Sequence, residues 1–247
     1  MAKHVGKRGD TLIEVMLAVG IFSMVAVAVV AVMSGGTSSA QTALETTLTR
    51  EAIDAQAEAL RFIQSSYIAE KDNLNGDYAN LWQQITGTAT EAASANNVNV
   101  VTGEAIGAIA QYSPSECSEM YSDGGQAKQY GFVINTNLLG SKPENAIISV
   151  KNDDNKGLFQ EATTYPRLVY KNEGDLASDS YNLKELSSVE GIYIIAVKDP
   201  NSTTIAGTSK SAYYDFYIRT CWYGTGDKTP STISTVMRLY DPGIVKN

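Results

Sequence analysis

An apolar run near the N-terminus constrains this chain more than any other feature. Residues 12–33 hold a single charge, Glu14, and no further charged residue occurs before Glu45. As a helix, a run of this length spans the hydrocarbon core of a bilayer. Neither glycine nor proline occurs between Gly36 and Gly76, so no helix breaker follows the run for a long stretch. The first quarter of the chain therefore predicts one long helix with an apolar first half.

Composition narrows the classes of function. The 247 residues are 43% hydrophobic and 19% charged, which is typical of a folded protein. The net charge is −8, although the first nine residues carry three cations, Lys3, Lys7 and Arg8. Nucleic acid is not an expected partner, because phosphate contacts need clustered Lys and Arg. The one histidine, His4, also lies in this leader, so we expect no enzyme and no cofactor.

The basic leader, residues 1–9, ends in Gly9 and leaves three interpretations open. A secretory signal peptide would be cut near residues 34–40, but its apolar region is usually only about 7–15 residues long. A plain single-pass anchor would keep the basic leader inside the cell by the positive-inside rule. The third interpretation depends on the residues that join the leader to the run. All three export the chain beyond residue 40.

The junction Gly9-Asp10-Thr11-Leu12-Ile13-Glu14 resembles the class III signal of type IV pilins and pseudopilins. In that family a basic leader ends in Gly, and a glutamate is the fifth mature residue. The resemblance implies that a prepilin peptidase cuts after Gly9 and methylates the new terminus at Asp10. An apolar residue is usual where this chain has Asp10, which is typical of a minor pilin. The family's frequent proline is replaced by Ala31, so Gly35-Gly36 is the nearest site for a kink.

The resemblance also implies how the chain is used. Residues Leu12 to Met33 would anchor it in membrane lipid until assembly, with the leader cytoplasmic and the head outside. In the filament, Glu14 would pair with the charged N-terminus of a neighbouring subunit. The expected partners are other pilin subunits, the prepilin peptidase and the inner-membrane assembly platform. The alternative from another class is a membrane-tethered extracellular binding or adhesion domain that does not polymerise.

Residues 37–69 continue the helix after the membrane and filament-core half, 10–36. Apolar side chains recur here at three- and four-residue spacing, which predicts an amphipathic helix packed on its own domain. The main stripe is Leu44, Leu48, Ala52, Ala55, Ala59 and Phe62, and a second line is Ile53, Ala57 and Leu60.

The remainder predicts a helix-to-sheet connecting region, 70–130, and a β head domain, 131–247. Short helices are predicted at 77–85 and 103–111. From residue 131 the period changes to two, which predicts strands at 131–134, 146–150, 167–170, 191–198, 212–223 and 234–240. In the fifth, Tyr214, Phe216 and Ile218 are on the expected core face. A helix followed by consecutive strands indicates an α+β fold with an antiparallel sheet. The pilin fold, a helical stem packed on such a head, has this order.

Few residues of the head suggest chemistry. Cys117 and Cys221 would be free thiols in a cytosolic protein, but export favours a disulfide between them. Residues 152–157 are acidic and end in glycine, yet they fit a solvated turn better than a calcium loop. Asn201 begins an N-glycosylation triplet, but we give it little weight because the pilin-like signal implies a prokaryotic protein. The clustered tyrosines at 213–223 suit sheet packing or adhesion.

Overall fold

The chain folds as a long helix, a set of short helices and an antiparallel sheet, which confirms the predicted α+β class. A computed structural model describes residues 10–70, 76–87, 98–102, 107, 109, 117, 125–149, 191–198, 213–223 and 229–241. Helices are α1 (Asp10–Ala69), α2 (Asp77–Ile85) and α3 (Gln126–Tyr130), with a 3-10 turn at Pro143–Asn145. Strands are β1 (Phe132–Ile134), β2 (Ile147–Ser149), β3 (Gly191–Lys198), β4 (Tyr213–Trp222) and β5 (Ser231–Tyr240). The chain divides into two units, Met1–Thr47 and Leu48–Asn247.

The sheet of the second unit has the strand order β2-β1-β3-β4-β5, and each of these neighbouring pairs is antiparallel. Strands β4 and β5 pair along their whole length, from Tyr213 opposite Tyr240 to Trp222 opposite Ser231. Strand β3 pairs with β4 over its full length. It meets β1 only where Phe132 lies opposite Ile194. The long β3–β4–β5 ladder is therefore the main body of the sheet.

Most predicted elements that fall on described residues are confirmed. Helix α2 and strand β3 match the predictions at 77–85 and 191–198. Strand β5 begins at Ser231, three residues before the predicted start. Strand β1 begins after Gly131, because Gly131 is the residue that ends α3. A glycine is needed there, since an added Cβ would lie 2.4 Å from the Ala127 carbonyl oxygen. The strand predicted at 167–170, the turn at 152–157, Asn201 and most of the helix predicted at 103–111 lie outside the described residues.

The buried face of α1 in the second unit differs from the main predicted stripe. Phe62 keeps 46% of its surface and Ala55 is exposed, whereas Ile53 and Leu60 of the second line are buried. The buried residues are Thr49, Ile53, Gln56, Ala59, Leu60, Ile63 and Tyr67, so Ala59 of the main stripe is buried as well. Thr49 and Gln56 are polar, and a pattern based on hydropathy does not include them.

Gln56 explains why a polar side chain is buried on that face. Its amide Nε2 donates to the Ile134 carbonyl at 2.8 Å, and the Ile134 N–H donates to its Oε1 at 3.0 Å. The main chain of Phe132, two residues earlier on β1, pairs with β3. The main-chain groups of Ile134 point toward the same side, because every second residue of a strand directs its N–H and C=O to the same neighbour. The Gln56 side chain thus supplies the donor and acceptor that a longer β1–β3 ladder would have supplied.

A second glutamine joins α1 to β5, the strand at one edge of the sheet. Gln64 Nε2 donates to the carbonyl of Tyr240, the last residue of β5, at 2.6 Å. The eight residues from Gln56 to Gln64 span about 12 Å of helix. Strands β1 and β5 are three strand spacings apart, about 14 Å. Helix α1 therefore crosses the sheet from β1 to β5.

Trp82 of α2 is the centre of the aromatic packing between α1 and the sheet. Its ring stacks on Tyr67 with centroids 5.7 Å apart and meets Tyr214 edge-on at 6.1 Å. Helix α2 is held at its N-terminus by Glu70, whose carboxylate accepts the Ala79 N–H at 3.0 Å. This contact satisfies one of the N–H groups that the start of a helix leaves unpaired.

The opposite face of the sheet is also covered at one end of β4. The predicted core residues Tyr214, Phe216 and Ile218 are buried, but Arg219 and Cys221 of the other face are buried too. Cys221 forms the predicted disulfide with Cys117, with Cα atoms 5.5 Å apart. The bridge closes a loop of 104 residues, which stabilises the fold by up to about 4.7 kcal/mol in the chain-entropy model. This half of β4 is therefore a two-sided core strand.

Replacing Gln56 with alanine should destabilise the second unit far more than the same change at Gln64. Gln56→Ala leaves the buried N–H and C=O of Ile134 without partners, which costs about 2–4 kcal/mol. Gln64→Ala releases a carbonyl of an exposed residue that water can reach, which costs less than about 1 kcal/mol. Denaturant unfolding of the full chain in detergent, followed by tryptophan fluorescence, measures both. Equal losses would contradict the role given to Gln56.

The stability of the second unit should fall at alkaline pH. Burial, and to a lesser extent the Asp241 carboxylate, raises the pKa of Tyr214 from 10.0 to about 12. The same two causes raise the pKa of Tyr67. In the unfolded chain these phenols ionise at their ordinary pKa, so the folded state binds more protons between about pH 10 and pH 12. The free energy of unfolding should be unaffected by these groups below pH 10 and decline above it.

Tyr214→Phe is the matched variant for this pH profile. It removes the phenol and keeps the ring that packs on Trp82. Unfolding measured between about pH 9 and pH 12 should show a shallower decline than in the wild type, because only one of the two raised phenols, Tyr67, remains. A variant that declines as steeply as the wild type would contradict the assignment.

Candidate membrane and assembly segment

Residues 12–33 of α1 form a helix with an exposed apolar surface. All of these residues are helical, and the structure buries none of them. Phe22, Met24 and Val32 keep 73%, 78% and 75% of their surface. The helix that begins at Leu12 is long and apolar enough to cross a membrane. At about 1.5 Å per residue, its apolar part extends about 33 Å, close to the thickness of a bilayer core.

The apolar residues lie on every side of this helical segment. Leu12, Ile13, Val15, Met16 and Leu17 are consecutive or nearly so, and they cover more than a full turn. A helix that is apolar all round needs lipid or other apolar helices around it. Residues 48–69 of the same helix differ, because they bury a single line of side chains. The segment therefore has the surface of a membrane span or of a helix in an apolar bundle.

Glu14 is the only ionisable side chain within residues 12–33. It lies in the second turn of α1, as the fifth helical residue when Asp10 is counted as the first, and it is exposed. An unpaired carboxylate in hydrocarbon costs several kcal/mol, so an acid in a membrane segment needs a cationic or hydrogen-bonding partner. No hydrogen bond or ion pair to the Glu14 side chain occurs within the part of the chain that the structure describes. Gly9, the residue before the predicted cut, lies outside that part.

The helix continues through Gly35-Gly36, the pair that the sequence suggested as a kink. Nothing lies within 4 Å of a Cβ added at Gly20, Gly35 or Gly36, so packing inside the chain does not require glycine there. Each glycine nevertheless costs about 1 kcal/mol in a helix interior. Ser23 and Thr37 donate their hydroxyls to carbonyls four residues back, at 2.8 and 2.9 Å. For Ser23 this bond keeps a polar group satisfied within an apolar surface.

The head offers less that resembles a site of chemistry. Among the described residues, no three His, Cys, Asp or Glu side chains come together in a way that could hold a metal ion. The tyrosines of β4 separate by face as their alternation predicts. Tyr214 is buried, whereas Tyr213 and Tyr217 are half-exposed on the other face.

Arg219 was not predicted as a functional residue, and the structure buries it to 7% exposure. Its Nη1 donates to Gln126 Oε1 at 2.8 Å, and its Nη2 donates to the Ile109 carbonyl. Both partners belong to the connecting region that also carries Cys117. Arg219 and the disulfide therefore fasten that region to the same face of β4. No sequence signal pairs Arg219 with residues some hundred positions away.

Comparison of the chain with known protein families, characterised proteins and solved structures finds no match to it. The structure thus provides the fold and a candidate membrane span, whereas the resemblance to pilins stays a prediction from the residues around Gly9.

Proposed function

We propose that this chain is a structural subunit, a minor pilin or pseudopilin, of a type IV pilus or a related secretion filament. The observation that carries the proposal is the exposed apolar helix with one acid near its start. A basic leader ending in Gly9 precedes that helix, and Glu14 is the fifth residue after the glycine. The same helix that rests in lipid before assembly can pack against its copies in a filament core, since both surroundings are apolar.

Glu14 gives that helix bundle a register. After cleavage, the new N-terminus at Asp10 carries a positive charge one turn from Glu14 of the same helix and can reach Glu14 of a neighbouring subunit. An ion pair in an apolar bundle specifies which residues meet, because any other register leaves a charge unpaired. Asp10 competes for the same cation, so the register is less tightly fixed than with an apolar first residue. This departure is why we propose a minor subunit.

The proposed location follows from charge and redox chemistry. Lys3, Lys7 and Arg8 keep the leader in the cytoplasm, and the head lies outside. The buried Cys117–Cys221 disulfide supports an exported head, because disulfides persist in oxidising compartments. The partners are the prepilin peptidase, the inner-membrane assembly platform, lipid before assembly and other pilin subunits. The proposal gives the head no catalytic role, since the one histidine lies in the leader.

The first residue of the mature protein tests the proposal directly. Mass spectrometry of the chain isolated from its host should show a start at Asp10. A protein that keeps its leader would contradict the filament proposal and favour a tethered binding domain. A start beyond residue 33 would instead identify an ordinary signal peptide. The three outcomes differ by many residues in mass and cannot be confused.

Replacing Glu14 tests the register separately from processing. Glu14→Ala should leave the cut after Gly9 intact, because the leader and junction are unchanged, but should lower incorporation into filaments at least about tenfold. Immunoblots of membrane and sheared-filament fractions measure both steps. Glu51→Ala, at an exposed position in the polar part of α1, is the control and should assemble normally. Normal incorporation of the Glu14 variant would contradict its role.

A further inference from the structure

The outer edge of β5 has a hydrogen-bonding direction that the ladder fixes. The main chain of Val101 accepts from the Lys198 N–H and donates to the Ala196 carbonyl, so the main-chain groups of the even residues of β3 point away from β4. The main-chain groups of the odd residues of β3 therefore bond to β4, and their partners on β4 are also odd residues. The main-chain groups of the even residues of β4 then bond to β5. Their partners on β5 are odd, as Ile218 with Thr235. The even residues of β5 therefore point outward, away from the sheet.

Four of these outward residues have free main-chain groups in the part of the chain that the structure describes. They are Thr232, Ser234, Val236 and Arg238, and all four are exposed. The next even residue is Tyr240, whose carbonyl already accepts from Gln64. The free edge thus has a defined length, from residue 232 to residue 238, centred on Thr235.

Within its own residues, strand β5 lacks several of the devices that usually prevent strands from pairing. Strand β5 is ten residues long, pairs with β4 without a bulge and contains neither proline nor lysine. Its one charge, Arg238, is turned back over the sheet, where it binds both oxygens of Asp215 at 2.7 and 2.8 Å. The guanidinium also lies 4.0 Å from the Tyr213 ring centroid. An edge that is long and free of bulges, and whose one charge is already paired with Asp215, is a template for another strand.

We propose that two copies of this chain pair through their β5 edges as antiparallel strands, with a two-fold axis at Thr235. This register is the one that uses all four free residues, because Thr232 then lies opposite Arg238 of the second copy and Ser234 opposite its Val236. Each of these pairs exchanges both main-chain hydrogen bonds. The two short sheets become one ten-stranded sheet across the axis.

A second copy fits the side chains of this edge as well as its main chain. Arg238 meets a threonine rather than another arginine, so no like charges oppose each other. Val236, which is 51% exposed, gains a neighbour on the outer face. On the other face Thr235 meets its own copy, and half-buried Ile233 lies opposite Met237. An isologous contact of this kind closes after two copies.

The two-fold pair has a consequence for a filament, although it does not depend on the proposed function. Neighbouring subunits of one helical filament are related by a screw rotation, which is not a two-fold axis. A β5–β5 pair therefore joins copies that belong to two filaments.

Cysteine placement tests the register. The full chain in detergent, with Thr235→Cys, should form a disulfide-linked dimer under mild oxidation, because non-hydrogen-bonded antiparallel partners have Cα atoms about 4.5 Å apart. Thr232→Cys is the matched control, since the two copies of residue 232 would lie about 20 Å apart. Non-reducing gels should show cross-linking at least about tenfold faster at 235 than at 232. Equal rates, or no dimer at 235, would overturn the proposal.

Charge complementation separates a second copy from any other partner strand. Thr235→Lys and Thr235→Glu should each abolish the dimer seen by analytical ultracentrifugation, because like charges then face each other at the axis. An equimolar mixture of the two should restore it. Tryptophan fluorescence confirms that each variant is folded. If the single variants still dimerise, or if the mixture stays monomeric, the contact lies elsewhere and the proposal fails.

Discussion

The need to satisfy main-chain hydrogen bonds governs both units of this chain. In residues 12–33 the helix bonds every interior N–H and C=O within itself, which is what lets an apolar segment lie in hydrocarbon. In the second unit, Gln56 completes the bonds of Ile134 where β1 and β3 diverge, and Glu70 binds an N–H at the start of α2. At the outer edge of β5, the main-chain N–H and C=O groups of residues 232–238 that point outward must bind water or another strand.

Sequence reasoning succeeded where a structure depends on neighbouring residues. The apolar run is contiguous, so the candidate membrane span could be predicted from spacing, whereas the role of Glu14 stays a prediction. Helix α2 and strand β3 were also predictable, since one has a clear helical pattern and the other a buried β pattern. The Cys117–Cys221 bridge is the one disulfide that two cysteines allow, and the expectation that the head is exported predicted it.

The contacts that sequence reasoning missed join residues far apart in the chain. Gln56 and Ile134 are 78 positions apart, and no pattern in α1 distinguishes a buried glutamine from an exposed one. Its amide is buried because a strand that is missing one neighbour needs a donor and an acceptor at that point. Arg219 was equally hidden, since its partners Gln126 and Ile109 lie 93 and 110 positions away in the chain. The difference between the predicted and the buried face of α1 is in part a result of such polar burial.

The two glutamines of α1 also decide how the second unit would bear a pull along that helix. Gln56 binds to β1 and Gln64 binds to β5, which lies three strand positions away, so a pulling force on the helix divides between these two strands. Sliding the helix must break three hydrogen bonds together and move the Tyr67–Trp82 stack. Resistance of this kind is a matter of unfolding rate rather than of equilibrium stability.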